Sequence, residues 1–184
     1  MIRFYIILYI FNQILYGLGA ISIFNNSQKR LHYDMLKIVV VIMTSLSSWS
    51  LLVSPVINIL SRFISLALTV VSLCLFLSSA RETYHRPLHV VFSKEDREDQ
   101  KNLLQSGPFA SLRHPYYTSY LLNYLAAAIG AYTLTNWLIL ICATGMYNLA
   151  AMQEEKRLLQ GPLRQEYTAY KQRTIGLIPY LNFK

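Results

Sequence analysis

Charge is scarce in this chain. Of 184 residues only 14% are Asp, Glu, Lys or Arg, while 54% are hydrophobic. That balance excludes an ordinary soluble domain, in which about a quarter of residues are charged. Cysteine is scarce too: Cys74 and Cys142 both lie inside apolar runs. They form no CxxC pair and no Cys/His spacing, which argues against a disulfide framework and a zinc centre. They read as small buried hydrophobes. His85 and His89 stand four apart, but Pro87 lies between them and no third ligand is near, so no metal is expected. A GxGxxG loop is absent, and Gly17-Leu18-Gly19 lies within an apolar run, so no dinucleotide signature remains. Repeats and low-complexity tracts are also lacking.

What is present is long apolar runs. A bilayer core about 30 Å thick needs roughly 20 apolar helical residues. Five runs qualify: Ile2 to Phe24, Ile38 to Leu60 (broken late by Pro55), Phe63 to Ala80, Tyr116 to Tyr132, and Trp137 to about Met152. The second and third are separated by Ser61-Arg62, the fourth and fifth by Thr133 to Asn136, so each pair is expected to form a tight hairpin. The first run also has features of a signal peptide, with Arg3 before it and Gly17 to Ala20 near its end. Its apolar core is longer than the usual 7–15 residues, which favours a retained span.

The basic residues divide sharply across these five crossings. Arg3 and Arg62 fall on one side. The other side holds Lys29, Arg30 and Lys37, six more in the long loop after the third run, and six in the tail. Such asymmetry follows the positive-inside rule and predicts a cytoplasmic long loop and C-terminus, with the N-terminus opposite. The net charge of +8 is then explained by topology and anionic headgroups, and no nucleic-acid partner is needed.

Outside the runs, Lys94 to Asp99 is a dense charge cluster that reads as a solvated face. Gln105 to Phe109 is a turn signal. Pro115 suits the first turn of a helix. Glu154 to Gln160 should continue the fifth helix beyond the membrane until Gly161-Pro162 stops it. Leu163 to Arg173 reads as a short amphipathic helix with Tyr167 and Tyr170 on one face, and Ile175 to Leu181 should pack back on the membrane face.

Two polar clusters flank the last hairpin: Arg113-His114-Pro115-Tyr116-Tyr117 and Glu154-Glu155. They are equidistant from the hairpin loop. In an antiparallel pair with axes about 8–10 Å apart, they should face each other at one level. Arginine or histidine beside a span also serves as a topological anchor, and a glutamate pair at a helix exit is often solvated. Their matched heights favour a binding site for a zwitterion. Arg113 or His114 could take a ligand carboxylate, a glutamate could take an ammonium or hydroxyls, and aromatic faces could take a purine or a sulfonium.

The series Gly107-Pro108-Phe109, Leu112-Arg113-His114-Pro115-x-Tyr117, Glu154-Glu155-x-x-Leu158-Leu159, Tyr167-x-x-Tyr170 and Ile178-Pro179 resembles the isoprenylcysteine carboxyl methyltransferase family and the related membrane phospholipid methyltransferases. The resemblance covers about residues 101–181. It implies an all-α polytopic bundle of about five transmembrane helices with a cytosolic C-terminal helical cap, and S-adenosyl-L-methionine as cofactor. It implies cofactor contacts at Lys101, Asn102, Leu103 and Leu104, at Phe109, at His114, Pro115, Tyr116 and Tyr117, and at one of Glu154 and Glu155; the polar clusters themselves add Arg113. It implies methyl transfer to a lipid or prenylated acceptor drawn from the bilayer. Two features depart from the family: the stretch before Tyr167 lacks its Phe-Gly, and Asn148 to Gln153 lacks the Arg linked to a prenylcysteine carboxylate.

The expected organisation is one integral-membrane methyltransferase domain over 1–184. It comprises three membrane helices (1–80), a cytosolic loop with the cofactor motif (81–115), a membrane hairpin (116–152) and a cytosolic cap (153–184). The rivals are an NADPH-dependent membrane reductase of the sterol type, which shares an Arg-His-Pro-x-Tyr segment, and a non-catalytic membrane scaffold.

Overall fold

A computed structural model describes residues 2–24, 31–54, 58–84 and 103–177. His85, His89, the charge cluster at 94–99, Lys101, Asn102, Ile178 and Pro179 lie outside the described residues. The helices are α1 (Ile2–Phe24), α2 (Leu31–Val53), α3 (Ile59–Thr83), α4 (Pro115–Ala131), α5 (Leu134–Gln160) and α6 (Arg164–Arg173). A 3-10 turn spans Gly107–Ala110. Among the described residues the only extended pairing is an isolated parallel bridge between Leu112 and Ile175.

Each of the five apolar runs falls on a helix over most of its length, but both hairpin turns shift toward the N-terminus. The break between α2 and α3 falls before Asn58, not at Ser61-Arg62. The Asn58 side chain accepts the Leu60 N–H at 2.9 Å and so caps α3. Arg62 is therefore a buried residue within α3 rather than a loop residue, with its guanidinium 5.8 Å from the Tyr5 ring centroid. Between α4 and α5 the turn is only Tyr132-Thr133. Tyr132 takes a left-handed conformation (φ 51°), and the Thr133 side chain caps α5 through the Asn136 N–H.

The bundle buries small and polar side chains and exposes large apolar ones. In α3 the inward positions are Arg62, Ser65, Thr69, Ser72, Phe76, Ser79 and Thr83, spaced alternately three and four apart. Ser65, Thr69 and Ser72 have no exposed surface, while Leu60, Val71 and Ile141 are 61%, 53% and 64% exposed. The inward face of α1 follows the same spacing through Tyr5, Tyr9, Asn12 and Tyr16. Cys74 and Cys142 are exposed on the outer surface, contrary to the burial expected of them. In a bilayer the outward face costs nothing to leave apolar, while small inward residues let helices approach and bond across. Among the described residues, two helices, α3 and α5, are long and apolar enough to cross a membrane.

The closest packing joins α3 and α4. The hydroxyls of Ser65 and Ser72 donate to the carbonyls of Ala126 and Ser119, each at 2.6 Å. Near the middle of α1, the Asn12 amide donates to the Thr69 carbonyl at 3.1 Å and to the Asn123 side chain at 3.4 Å. Near the α4–α5 turn, the Asn136 amide donates to Ser50 of α2 at 3.0 Å. Gly130 is required by this packing: a Cβ there would sit 2.6 Å from the Ser65 hydroxyl and 2.7 Å from that of Tyr5.

Candidate functional site

Local structure delivers the two polar clusters to one place. Pro115 opens α4 at its first position, leaving His114 as the cap residue with non-helical backbone. Helix α5 runs on past its apolar part and carries Glu154 and Glu155 until Gly161 ends it. With the tight Tyr132-Thr133 turn between them, the start of α4 meets the end of α5. His114 is buried at 8% exposure. Its Nδ1 lies 3.4 Å from a Glu154 oxygen and its Nε2 lies 3.3 Å from a Glu155 oxygen. The imidazole thus bridges the two carboxylates, as the matched heights in the sequence anticipate.

The two glutamates have different surroundings. Glu155 receives Arg113 Nε at 2.8 Å and Lys171 Nζ at 2.8 Å in addition to His114. Glu154 accepts a short hydrogen bond from the Tyr117 hydroxyl. Among the described residues its only ion pair is with His114. Behind Tyr117 runs an aromatic column. The His114 and Tyr117 rings stack at 5.6 Å, and the Tyr117 and Tyr147 rings at 5.1 Å. Tyr147 then adjoins Tyr120 at 5.6 Å, and Tyr120 adjoins Tyr16 of α1 at 4.8 Å.

Arg113 serves as a tether as well as a counter-ion. Its Nη1 donates to the carbonyls of Lys171 at 3.2 Å and Thr174 at 2.6 Å. Its backbone N–H donates to the Ile175 carbonyl at 2.9 Å, and the Ile175 N–H donates to the Ser111 carbonyl at 2.9 Å. The chain after α6 is thereby laid along the segment before α4, and Leu177 is buried with Met43, Leu121 and Tyr147. Helix α6 closes the same end. Tyr170 donates to the Phe109 carbonyl at 2.6 Å, and Glu166 accepts the Leu103 N–H at 3.3 Å and the Gln105 amide at 2.7 Å.

These contacts sort the residues the sequence singles out. Arg113, His114, Tyr117, Glu154 and Glu155 form one contact group. Pro115 is buried and starts the helix. Tyr116 points elsewhere: its hydroxyl pairs with Thr83 at 2.6 Å and its ring adjoins Phe76 at 5.6 Å and Phe109 at 6.4 Å. Leu103, Leu104 and Phe109 lie in the segment strapped to α6, and Lys101 and Asn102 fall outside the described residues.

The electrostatics follow from the partners. Burial opposes ionisation of Glu155, but hydrogen bonds from His114, Lys171 and Arg113 outweigh it and hold the carboxyl well below the usual carboxylate range. Burial likewise opposes a charged His114, yet contacts with Glu154 and Glu155 outweigh it and raise its pKa. An imidazolium is also the form that can donate from both ring nitrogens. Burial and the nearby Glu155 charge push the Tyr167 phenol well above its ordinary value. The Tyr167 hydroxyl is fully buried and lies within the hydrogen-bonding influence of Glu155, at the edge of the charged cluster.

The family model for phospholipid methyltransferases matches residues 60–165. The match covers more than half of the chain and includes both polar clusters. The chain belongs to the phospholipid methyltransferase family. That membership supports a membrane methyltransferase in the general sense. No curated protein and no solved structure matches the chain.

In this phospholipid methyltransferase relative, three site residues escaped the sequence reading. Tyr147 lies seven residues before Glu154, on the same inward stripe of α5 as Ala143, Ala151 and Glu154. That spacing was the available signal. Lys171 follows Tyr167 by four positions, so it shares that residue's face of α6. Tyr167 belongs to the Tyr167-x-x-Tyr170 motif, but the sequence does not show that its hydroxyl reaches Glu155. Lys171 and Tyr167 also lie beyond the matched residues 60–165.

Proposed function

We propose that this chain is an S-adenosylmethionine-dependent methyltransferase that modifies a lipid acceptor at the cytoplasmic surface of a membrane it crosses five times. The observation that carries the reading is the His114 imidazole held between Glu154 and Glu155 where α4 and α5 leave the apolar bundle. The residues present fit the cofactor. A cluster holding Arg113, His114, Lys171 and Glu155 beside the buried Tyr167 hydroxyl can bind an amino-acid head of both charges. Lys171, whose side chain is 37% exposed, and Tyr167 supply donors for its carboxylate. The aromatic faces of Tyr117 and Tyr147 suit a cationic sulfur or nitrogen. When bound, the cofactor supplies an electrophilic methyl group. The protein supplies position and excludes water.

The acceptor chemistry that fits best is a lipid amine. Arg113 and Lys171 are both engaged with Glu155, and Asn148 to Gln153 contains no cation to receive an acceptor carboxylate. The carboxylate without a fixed lysine or arginine partner is Glu154, which faces the aromatic column. Five crossings, with the basic tail in the cytoplasm, follow from the 15 to 2 division of Lys and Arg across the runs.

The test is incubation of membranes containing the protein with methyl-labelled S-adenosylmethionine, followed by lipid analysis. Label is expected in an amine-headgroup phospholipid and should be absent with His114→Ala. Label confined to protein carboxyl groups, or no label above control membranes, would contradict the reading.

A further inference from the structure

The adjacent glutamates perform different tasks. We propose that Glu154 is the base that removes the proton from the acceptor amine, that Tyr117 and His114 position it, and that Glu155 is an ionic lock. The inference rests on the reading that the acceptor is a lipid amine.

An amine presented as ammonium has no lone pair and cannot attack until a proton leaves. The group that takes the proton must be a carboxylate or imidazole within reach of the acceptor and not already saturated by cations. Glu155 fails that requirement, since Arg113, Lys171 and His114 all bear on it at 2.8, 2.8 and 3.3 Å. His114 fails it as well, because both ring nitrogens are turned to carboxylates. Glu154 meets it. It is 9% exposed, it stands at the head of the Tyr117–Tyr147 stack, and its hydrogen-bond donors are the Tyr117 hydroxyl and His114. It therefore lies at the boundary between the ionic cluster and the apolar interior, where a headgroup on a lipid tail would arrive.

The step balances as follows. A proton passes from the ammonium nitrogen to a Glu154 oxygen. The freed lone pair forms the nitrogen–carbon bond to the methyl of the sulfonium donor, S-adenosylmethionine, as the carbon–sulfur bond breaks and its electron pair stays on sulfur. Glu154 releases its proton to solvent when the product leaves. Among the described residues, the charged and titratable groups that contact Glu154 are His114 and Tyr117, with Glu155 beside it on α5; Arg113 and Lys171 bear on Glu155, as does Tyr167 of α6.

The experiment uses the full chain in vesicles of phosphatidylethanolamine with S-adenosylmethionine, and measures rate against pH together with binding of S-adenosylhomocysteine. In Glu154→Gln, kcat should fall about a hundredfold or more at neutral pH, while the Kd for S-adenosylhomocysteine stays within about threefold. The rate of this variant should then climb as the pH approaches that of the free amine, because bulk hydroxide replaces the missing base. A kcat within threefold of wild type, or loss of S-adenosylhomocysteine binding equal to the loss of rate, would overturn the assignment. Should Glu154→Gln fail to fold, Tyr117→Phe decides. It removes a hydrogen bond to the carboxylate anion, so the acid limb of the kcat profile should move to higher pH with KM little changed. An unmoved limb would overturn the proposal. If the wild type neither binds S-adenosylhomocysteine nor methylates the vesicles, the underlying reading fails. If the wild type is active and Glu154→Gln matches it, only the base assignment fails.

Discussion

At the scale of single residues, the site depends on unequal neighbours for two identical side chains. Glu155 faces three cationic groups and Glu154 faces one imidazole and one phenol. Burial opposes charge at Glu155, yet its partners lower its pKa, so its contribution to stability is present above the unfolded carboxylate pKa of about 4.3 and is lost as the pH falls through the lowered folded value. For His114 the sign reverses. Its pKa is raised, so its contribution is present below about 6.5 and lost as the pH rises through the folded value. Stability should therefore form a plateau that falls at both ends. Glu155→Gln should be destabilised at neutral pH by about 1–3 kcal/mol, the range for breaking a partly buried pair, and the gap to wild type should narrow in acid. Thermal unfolding in detergent across pH checks this, and parallel curves for the two proteins would contradict it.

At the scale of elements, the bundle depends on the close approach of α3 and α4. Single interhelical hydrogen bonds in membranes average about 0.6 kcal/mol, while forcing extra atoms into a packed contact costs about 1–3 kcal/mol. Gly130→Val should therefore cost more than Ser65→Ala, because a Cβ at 130 would meet two hydroxyls inside 3 Å. Comparing the unfolding midpoints of the two variants tests this, and an equal or larger loss for Ser65→Ala would contradict it. The helices themselves were legible, because runs of about 20 apolar residues have few other uses. The α5 stop at Gly161, the α4 start at Pro115 and the α6 helix were legible from residues with known terminal preferences. The meeting of His114 with the glutamate pair was legible from counting outward from a short loop. The inward faces were not. Apolarity alone does not mark them, because inside this bundle many buried positions are Ser, Thr, Asn and Tyr, while Cys74 and Cys142 face outward. The alternation of four and three in Ser65, Thr69, Ser72, Phe76 and Ser79 was the missed signal. The position of the α2–α3 break was missed because Ile59 and Leu60 are as apolar as a span. The cap at Asn58 decided where the helix began.

At the scale of the whole molecule, the parts point one way along the bundle axis. The polar turn at Tyr132-Thr133 lies at one end. The ionic cluster, α6 and the strap tied by Arg113 lie at the other, with an aromatic column running inward between them. Under the proposed function, such an arrangement would bring a water-soluble cofactor and a lipid acceptor to a common point from different phases. The family match supplies the general reaction class, and the proposed function locates it at the cluster around His114. The most direct measurement is binding of radiolabelled S-adenosylhomocysteine to sealed vesicles of either orientation, for the wild type and His114→Ala. The account predicts saturable binding only where the C-terminus faces outward, weakened about tenfold or more by the substitution, since charge-assisted hydrogen bonds contribute about 1.5–3 kcal/mol. Wild-type vesicles that bind nothing, or a His114→Ala protein that binds as well as wild type, would contradict it.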